Sequence, residues 1–318
     1  MLIVFICVCS TTFVVAPNRQ PNVLQYGDGT QVQCTVHKDV VTLGPVSVDN
    51  TQFCSASEVQ TPSSSPPMDG IVGLGPPGTD NDTPFFRFVR SGFGAAIVSF
   101  WFDPSVVTVV SNSALTSGAG IVTLGGVATD KFNGSIVWSP IVTSAGHWVL
   151  QLNSITLGGN SISTRSASSA IIDTGTTLVY LPTDMFNAIN DAMGATINSD
   201  GTASIPCSGI KKLPTITFNL GNTQISLAPE KQILAIGRQC FTIFSPADGS
   251  DQLLIGASLL RHVYTVFDYD NARIGFAATV GDIGLPNIPS AAQKMGVGYV
   301  PLISTVVLSV LAIQAMAF

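Results

Sequence analysis

The sequence predicts an all-β protein, and three observations predict it. Short runs rich in β-branched and aromatic residues recur at 40–43, 96–100, 120–124 and 148–152, the residue types that fit a pleated surface. Gly, Ser, Thr, Asn and Pro interrupt these runs at short intervals, as turns between strands require. Helical periodicity surfaces only at 183–193, where Pro182 and Asp184 open a short helix. Residues 60–67, Gln-Thr-Pro-Ser-Ser-Ser-Pro-Pro, read as a loop. Paired apolar runs at 264–268 and 273–277 read as a hairpin. The 318 residues allow about two domains, with the lobe boundary expected within 128–139.

Composition narrows the function classes. Charged residues make up 10% of the chain, against about 25% in an average soluble protein. The net charge of −6 excludes a nucleic-acid partner, which needs basic surface to neutralise phosphates. The chain is too apolar to remain disordered. Its mean hydropathy of +0.43 does not make it polytopic, because long uncharged apolar runs occur only at the two ends.

Residues 1–16 are apolar with no Lys or Arg ahead of them, so they read either as the apolar core of a secretion signal or as a start inside a domain. At the other end, 281–300 form a linker in which small Ser290, Ala291 and Ala292 precede a spacer and an uncharged tail, 301–318. That order fits a glycolipid-anchor signal with Ser290 as acceptor. A membrane-spanning helix is the competing reading, without the usual flanking Lys or Arg.

None of the six cysteines forms a C-x-x-C pair or a zinc-spaced cluster with histidine, so no metal is expected. Cys34 with Cys54, and Cys207 with Cys240, would each close a loop of a few tens of residues, stabilising by roughly 3 kcal/mol; six buried thiols are the alternative. The acceptors Asn81-Asp82-Thr83, weakened by Pro84, and Asn133-Gly134-Ser135 suit the same secretory, oxidising route. The expected location is the secretory pathway, outside the cell or on its surface.

The chemistry concentrates in 171–177, Ile-Ile-Asp-Thr-Gly-Thr-Thr. It sets a carboxylate at the end of an apolar strand, beside hydroxyls and turn amides able to hydrogen-bond it. Alone, this fits a structural Asp in a tight turn as readily as a catalytic one. Tyr26-Gly27-Asp28-Gly29-Thr30 adds an aromatic at a hairpin tip. Residues 68–75, Met-Asp-Gly-Ile-Val-Gly-Leu-Gly, and 253–257, Leu-Leu-Ile-Gly-Ala, each give apolar residues followed by a glycine that admits a close backbone. His37, His147 and His262 read as strand residues, with no G-x-S-x-G or reactive-Cys signature beside them. Gly125-Gly126 and Gly75-Pro76-Pro77-Gly78 lack the Lys of a phosphate cradle and read as turns.

Taken in order, these motifs resemble the pepsin-like aspartic peptidases, fungal-type secreted or surface members above all, from about Ser10 to Ala278. The resemblance implies two β-rich lobes flanking a cleft, a polypeptide substrate, a monomer and no cofactor. Residues 17–128 would form a partial first lobe and 129–280 the second. Asp173 would be one of two catalytic carboxylates, with Thr174 and Thr176 supporting its loop. Tyr26, Gly27 and Asp28 would close over substrate as the flap, Ile71 would line an apolar subsite, and Gly175, Thr176 and Thr177 would border the substrate.

The first catalytic Asp of that family should precede the flap, yet no Asp occurs before Asp28. The Asp173-to-Gly256 spacing, counted back from Gly73, falls ahead of Met1, and Ser10-Thr11-Thr12-Phe13 already fits the family's interior. Three expectations follow: a shortened form of a complete peptidase, a noncatalytic β-rich surface remnant that binds peptide, or a dimer with one Asp per chain. This chain is expected to have little peptidase activity and an incomplete, aggregation-prone first lobe. Ala257, where many relatives carry Asp, is a further departure.

Overall fold

The structure, a computed structural model, describes residues 2–4, 10–15, 22–25, 31–60, 70–76, 90, 92–104, 120–142 and 146–281. The first part of the chain contributes β1 (Leu2–Val4), β2 (Val14–Val15), β3 (Asn22–Gln25), β4 (Gln31–Leu43), β5 (Val46–Gln60), β6 (Gly70–Val72), β7 (Ile97–Phe102) and β8 (Gly120–Leu124). The middle supplies β9 (Phe132–Pro140), β10 (Val149–Leu157), β11 (Asn160–Ile162), β12 (Ser169–Ile172) and β13 (Val179–Leu181). Then come helix α1 (Thr183–Met193) and the strands β14 (Thr196–Ile197), β15 (Ala203–Ile205), β16 (Ile216–Leu220) and β17 (Thr223–Leu227). The chain continues through β18 (Ile233–Ile236), β19 (Gln239–Thr242), β20 (Phe244–Pro246), β21 (Gln252–Ile255), helix α2 (Ala257–Leu260), β22 (Val263–Asp268) and β23 (Arg273–Thr279).

The expected all-β class is what the structure shows. The helix foreseen at 183–193 forms after Pro182, whose extended backbone ends the preceding strand. Its Met185, Phe186, Ile189 and Met193 are buried, the stripe an amphipathic helix turns inward. Gly194, with φ +68°, ends it, a conformation glycine adopts without a side-chain clash. The histidines depart from expectation. Only His37 lies in a strand; His147 is in a bend before β10 and His262 in the turn after α2.

Among the described residues the strands form four sheets. The long β4–β5 hairpin is the spine of the first sheet, with β2 and β3 on its β4 side and β1 and β6 on its β5 side. The largest sheet runs β17-β16-β10-β12-β21-β13-β20, with β11 beside β10. A small sheet orders β14-β15-β19-β18. The fourth, β8-β7-β22-β23-β9, interleaves strands from both halves. The span expected to hold a lobe boundary therefore leads into an edge strand of a shared sheet. One continuous core extends from Val46 and Val48 through Phe100 and Trp148 to Phe276.

Two disulfides join the cysteine pairs anticipated from the sequence. Cys34 is bonded to Cys54 across β4 and β5, and Cys207 to Cys240 beside the small sheet. Cys7 and Cys9 lie outside the described residues.

Buried polar groups fix the first sheet and the shared one. Asp39, 7% exposed, accepts hydrogen bonds from the Ser10 and Thr12 hydroxyls and from the Val40 amide. Phe13 packs over His37 at 4.8 Å on the same strand. Asp268, 1% exposed, accepts from Arg273 Nε at 2.7 Å and from Asn271, while the Arg273 guanidinium stacks on Trp138. A buried carboxylate persists only when partnered in this way.

The Thr12 hydroxyl, with Ser10 and the Val40 amide, holds the Asp39 carboxyl below the usual carboxylate range against a smaller opposing effect of burial. A carboxylate with a depressed pKa contributes stability above its unfolded-state pKa of about 3.9, and that stability disappears as pH falls through the folded value. Urea melts across the acid range should show stability falling as pH drops through that window. Asp39→Asn should be less stable at neutral pH and have a flatter acid limb; an unchanged limb would remove Asp39 as its cause.

Candidate active site

Asp173 follows β12, a strand clamped between β10 and β21. Ile172 N–H bonds to Trp148 O at 2.8 Å, and Asp173 N–H bonds to Ile255 O at 3.0 Å. The carboxylate is therefore delivered at the end of a rigid strand. Asp173 is half-buried, and each of its oxygens accepts one bond from its own turn. Gly175 N–H donates to Oδ1 at 2.9 Å, and the Thr176 hydroxyl donates to Oδ2 at 2.5 Å. A carboxylate has about four acceptor sites, so two oriented oxygens retain capacity for water or substrate. Of the two threonines expected to support the loop, Thr176 does so directly.

The turn itself rests on Gly256. A Cβ there would stand 2.4 Å from Leu178 O and 2.5 Å from Thr176 O, so only glycine lets the backbones approach this closely. Immediately after it, Ala257 N–H bonds to Thr176 O and Ser258 N–H to Thr177 O. The strands around the turn follow one pattern: β13 runs antiparallel to β21 and parallel to β20, with Val179 opposite Ile255 and Tyr180 opposite Leu254.

The first sheet repeats this pattern. Strand β1 runs antiparallel to β6 and parallel to β5, with Leu2 opposite Val72 and Ile3 opposite Ile71. The glycine after the β6 strand, Gly73, thus corresponds to Gly256, and Leu2 to Val179. Asp173 precedes Val179 by six residues. Six residues before Leu2 is five ahead of Met1, nearer than the spacing of sequence landmarks suggests. In the second half the far side of β21 holds β12, which carries Asp173; the corresponding side of β6 has no partner among the described residues.

The two halves meet beside Asp173. The Leu74 carbonyl accepts a bond from Trp148 Nε1 at 2.8 Å and another from the Tyr269 hydroxyl at 2.6 Å. A Cβ on Gly75 would stand 2.5 Å from Gly146 O. Trp148 packs edge-on against Tyr269 and tilted against Phe267. Burial pushes the Tyr269 hydroxyl far above its ordinary pKa, so it remains a donor at any working pH. Through Trp148, whose own carbonyl holds Ile172, the Gly73-Leu74-Gly75 segment is fixed against the Asp173 strand. Motif reading missed Trp148 and Tyr269; the available signal was a Trp and a Tyr in apolar runs, since a buried indole N–H or phenol O–H needs an acceptor.

The other expected site residues are distributed unevenly. Ile71 lies half-buried in β6, and Thr174 and Thr177 are half-buried in the Asp173 turn, whose Gly175 is exposed. β3 and β4 pair as far as Gln25 and Gln31, consistent with hairpin arms, but Tyr26, Gly27 and Asp28 lie outside the described residues, as do Asn81 and Ser290. A surface hollow of about 320 Å³ is lined by Ile205, Cys207, Arg238 and Cys240 among others, and does not include Asp173.

Gly256→Ala should disturb the Asp173 turn by overpacking and lower stability by about 1–3 kcal/mol, measured by thermal melting. Gly209→Ala, at a position with open space around a Cβ, should differ little from the parent. Equal melting of Gly256→Ala and the parent would exclude the close approach.

A family model described as eukaryotic aspartyl protease matches residues 4–279. The chain is 33% identical to pepsin A of Sus scrofa over 262 residues, covering 80% of this chain and 65% of that protein. It is 32% identical to an aspartic protease of Phaffia rhodozyma over 273 residues, 81% of this chain and 63% of the relative. It is 30% identical to gastricsin of Cavia porcellus over 278 residues, 84% and 68% respectively. The chain thus spans about two thirds of the length of these relatives. With the oriented carboxylate of Asp173, the glycine-cradled turn and the repeated strand pattern, these matches establish that the chain belongs to the eukaryotic, pepsin-like aspartyl protease family.

Proposed function

We propose that this protein is built for peptide-bond hydrolysis by an aspartic mechanism, with Asp173 as one of two carboxylates. The observation carrying this reading is the fixed geometry of Asp173: a rigid strand delivers it and one donor holds each oxygen. Two carboxylates facing each other across a water cannot both ionise, so they share a proton. The ionised partner removes a proton from water as its oxygen attacks the peptide carbonyl, and the protonated partner donates to the carbonyl oxygen. Proton return to the amide nitrogen then releases the amine as the C–N bond breaks. Ile71, Gly175, Thr176 and Thr177 border the bound polypeptide, and Tyr26, Gly27 and Asp28 close over it.

Guided by the repeated strand pattern, we read the second carboxylate as lying five residues ahead of Met1, and we expect the 318 residues alone to be inactive. Denatured haemoglobin or casein, with and without pepstatin, tests this. Extension of the chain by an apolar strand, Asp-Thr-Gly and two further residues, which sets the Asp five residues ahead of Met1, should confer pepstatin-sensitive cleavage. In that longer form Asp173→Asn should reduce cleavage by about 10²–10⁴-fold. An inactive but folded extended chain would overturn the reading and favour a noncatalytic peptide-binding protein; pepstatin-sensitive cleavage by the 318 residues alone would overturn the assignment of the second carboxylate.

The disulfides Cys34–Cys54 and Cys207–Cys240 fit an oxidising secretory route. We place the protein at the cell surface, joined to lipid at Ser290 after removal of the apolar tail. Phosphatidylinositol-specific lipase should release it from membranes. Retention after treatment would exclude the lipid anchor and favour a spanning tail.

A further inference from the structure

Strand β9 ends the sheet shared by both halves, and its exposed edge is protected unevenly. From Trp138 onward, the turn between β16 and β17 covers it: Asn222 donates its amide N–H to Ser139 Oγ and its side chain to Trp138 O, and Thr223 meets Ser139. Asn133, Gly134 and Ser135, nearer the start of the strand, are all exposed. An uncovered strand edge is a template for pairing with another chain.

This uncovered stretch is also one of the two Asn-x-Ser/Thr acceptors in the sequence. Its geometry presents it outward. The β9–β23 register passes from Phe276–Val137 to Ala278–Asn133, so residues 134–136 face Ala277 alone and the strand bulges away from the sheet. Gly134 adopts φ +75° with nothing within 4 Å of the position of a Cβ, and Asn133 beside it is itself exposed. The disulfides fit passage through the compartment where such acceptors are modified.

We propose that Asn133 carries an N-linked glycan and that this glycan shields the open end of β9 from edge-to-edge association. The covalent step joins the Asn133 amide nitrogen to the first sugar of a lipid-linked oligosaccharide donor. The lipid pyrophosphate departs and the amide loses one proton. The shield is a bulky hydrophilic group at the place where, among the described residues, no turn covers β9 and the strand itself carries no charged side chain. This inference does not depend on peptidase activity.

The test uses the full chain behind a cleavable secretion leader in a eukaryotic host. Peptide-N-glycosidase should increase its gel mobility. Asn133→Gln and Ser135→Ala should each abolish that contribution, Ser135→Thr should retain it, and Asn81→Gln should leave it in place. Since the glycan is attached as the chain emerges, a folding defect does not mask the result. Light scattering after native enzymatic deglycosylation should show a several-fold increase in self-association. Unchanged mobility of both Asn133→Gln and Ser135→Ala would overturn the site, and unchanged scattering after complete glycan removal would overturn the shield.

Discussion

One carbonyl oxygen, that of Leu74, couples the two halves beside the strand that carries Asp173. It accepts from an indole and a phenol in the second half. Two neutral hydrogen bonds contribute only about 1 kcal/mol each in net terms. Their influence comes from position, because leaving a buried carbonyl unpaired would cost more than its bonds contribute. Trp148 uses its indole to hold the first half and its backbone to hold the strand leading to Asp173, so a displacement on either side of the junction is transmitted to the turn.

Internal repetition gives the site its second constraint. The arrangement of β13 between β21 and β20 and that of β1 between β6 and β5 are the same solution used twice. Each places an apolar strand in the middle and follows another with a glycine where backbone must approach backbone. In the first copy, the strand that would sit beside β6 as β12 sits beside β21 is not among the described residues. The second copy is thus locally complete, with Asp173 oriented by the donors of its own turn.

Features governed by neighbours in sequence were legible before the structure. Pro182, Asp184 and the helical periodicity of 183–193 identify α1, and short runs of β-branched and aromatic residues identify β7, β8 and β10. The Asp-Thr-Gly turn was likewise apparent because its donors, Gly175 and Thr176, lie within three residues of Asp173. The pairing of Trp148 and Tyr269 with Leu74 was not, since 74 and 195 residues of chain separate the partners and no local pattern records them. His262 illustrates another limit: its apolar surroundings suggest a strand, but the hydrogen bonds of α2 draw its backbone into a turn. Counting back from sequence landmarks and from strand register gives different distances, because the landmarks carry one half's intervening loop lengths over to the other, whereas strand register does not depend on them.

The shared sheet has a consequence for chain continuity. β7 and β9 precede β10 in the chain, yet they pair directly with β22 and β23 near its end. A single nick between β9 and β10 would therefore cut the polypeptide without separating its pieces. The resulting two-chain particle would remain zipped through two ladders and a common apolar interior, so an apparent fragmentation under denaturing conditions need not mean that the native assembly has come apart.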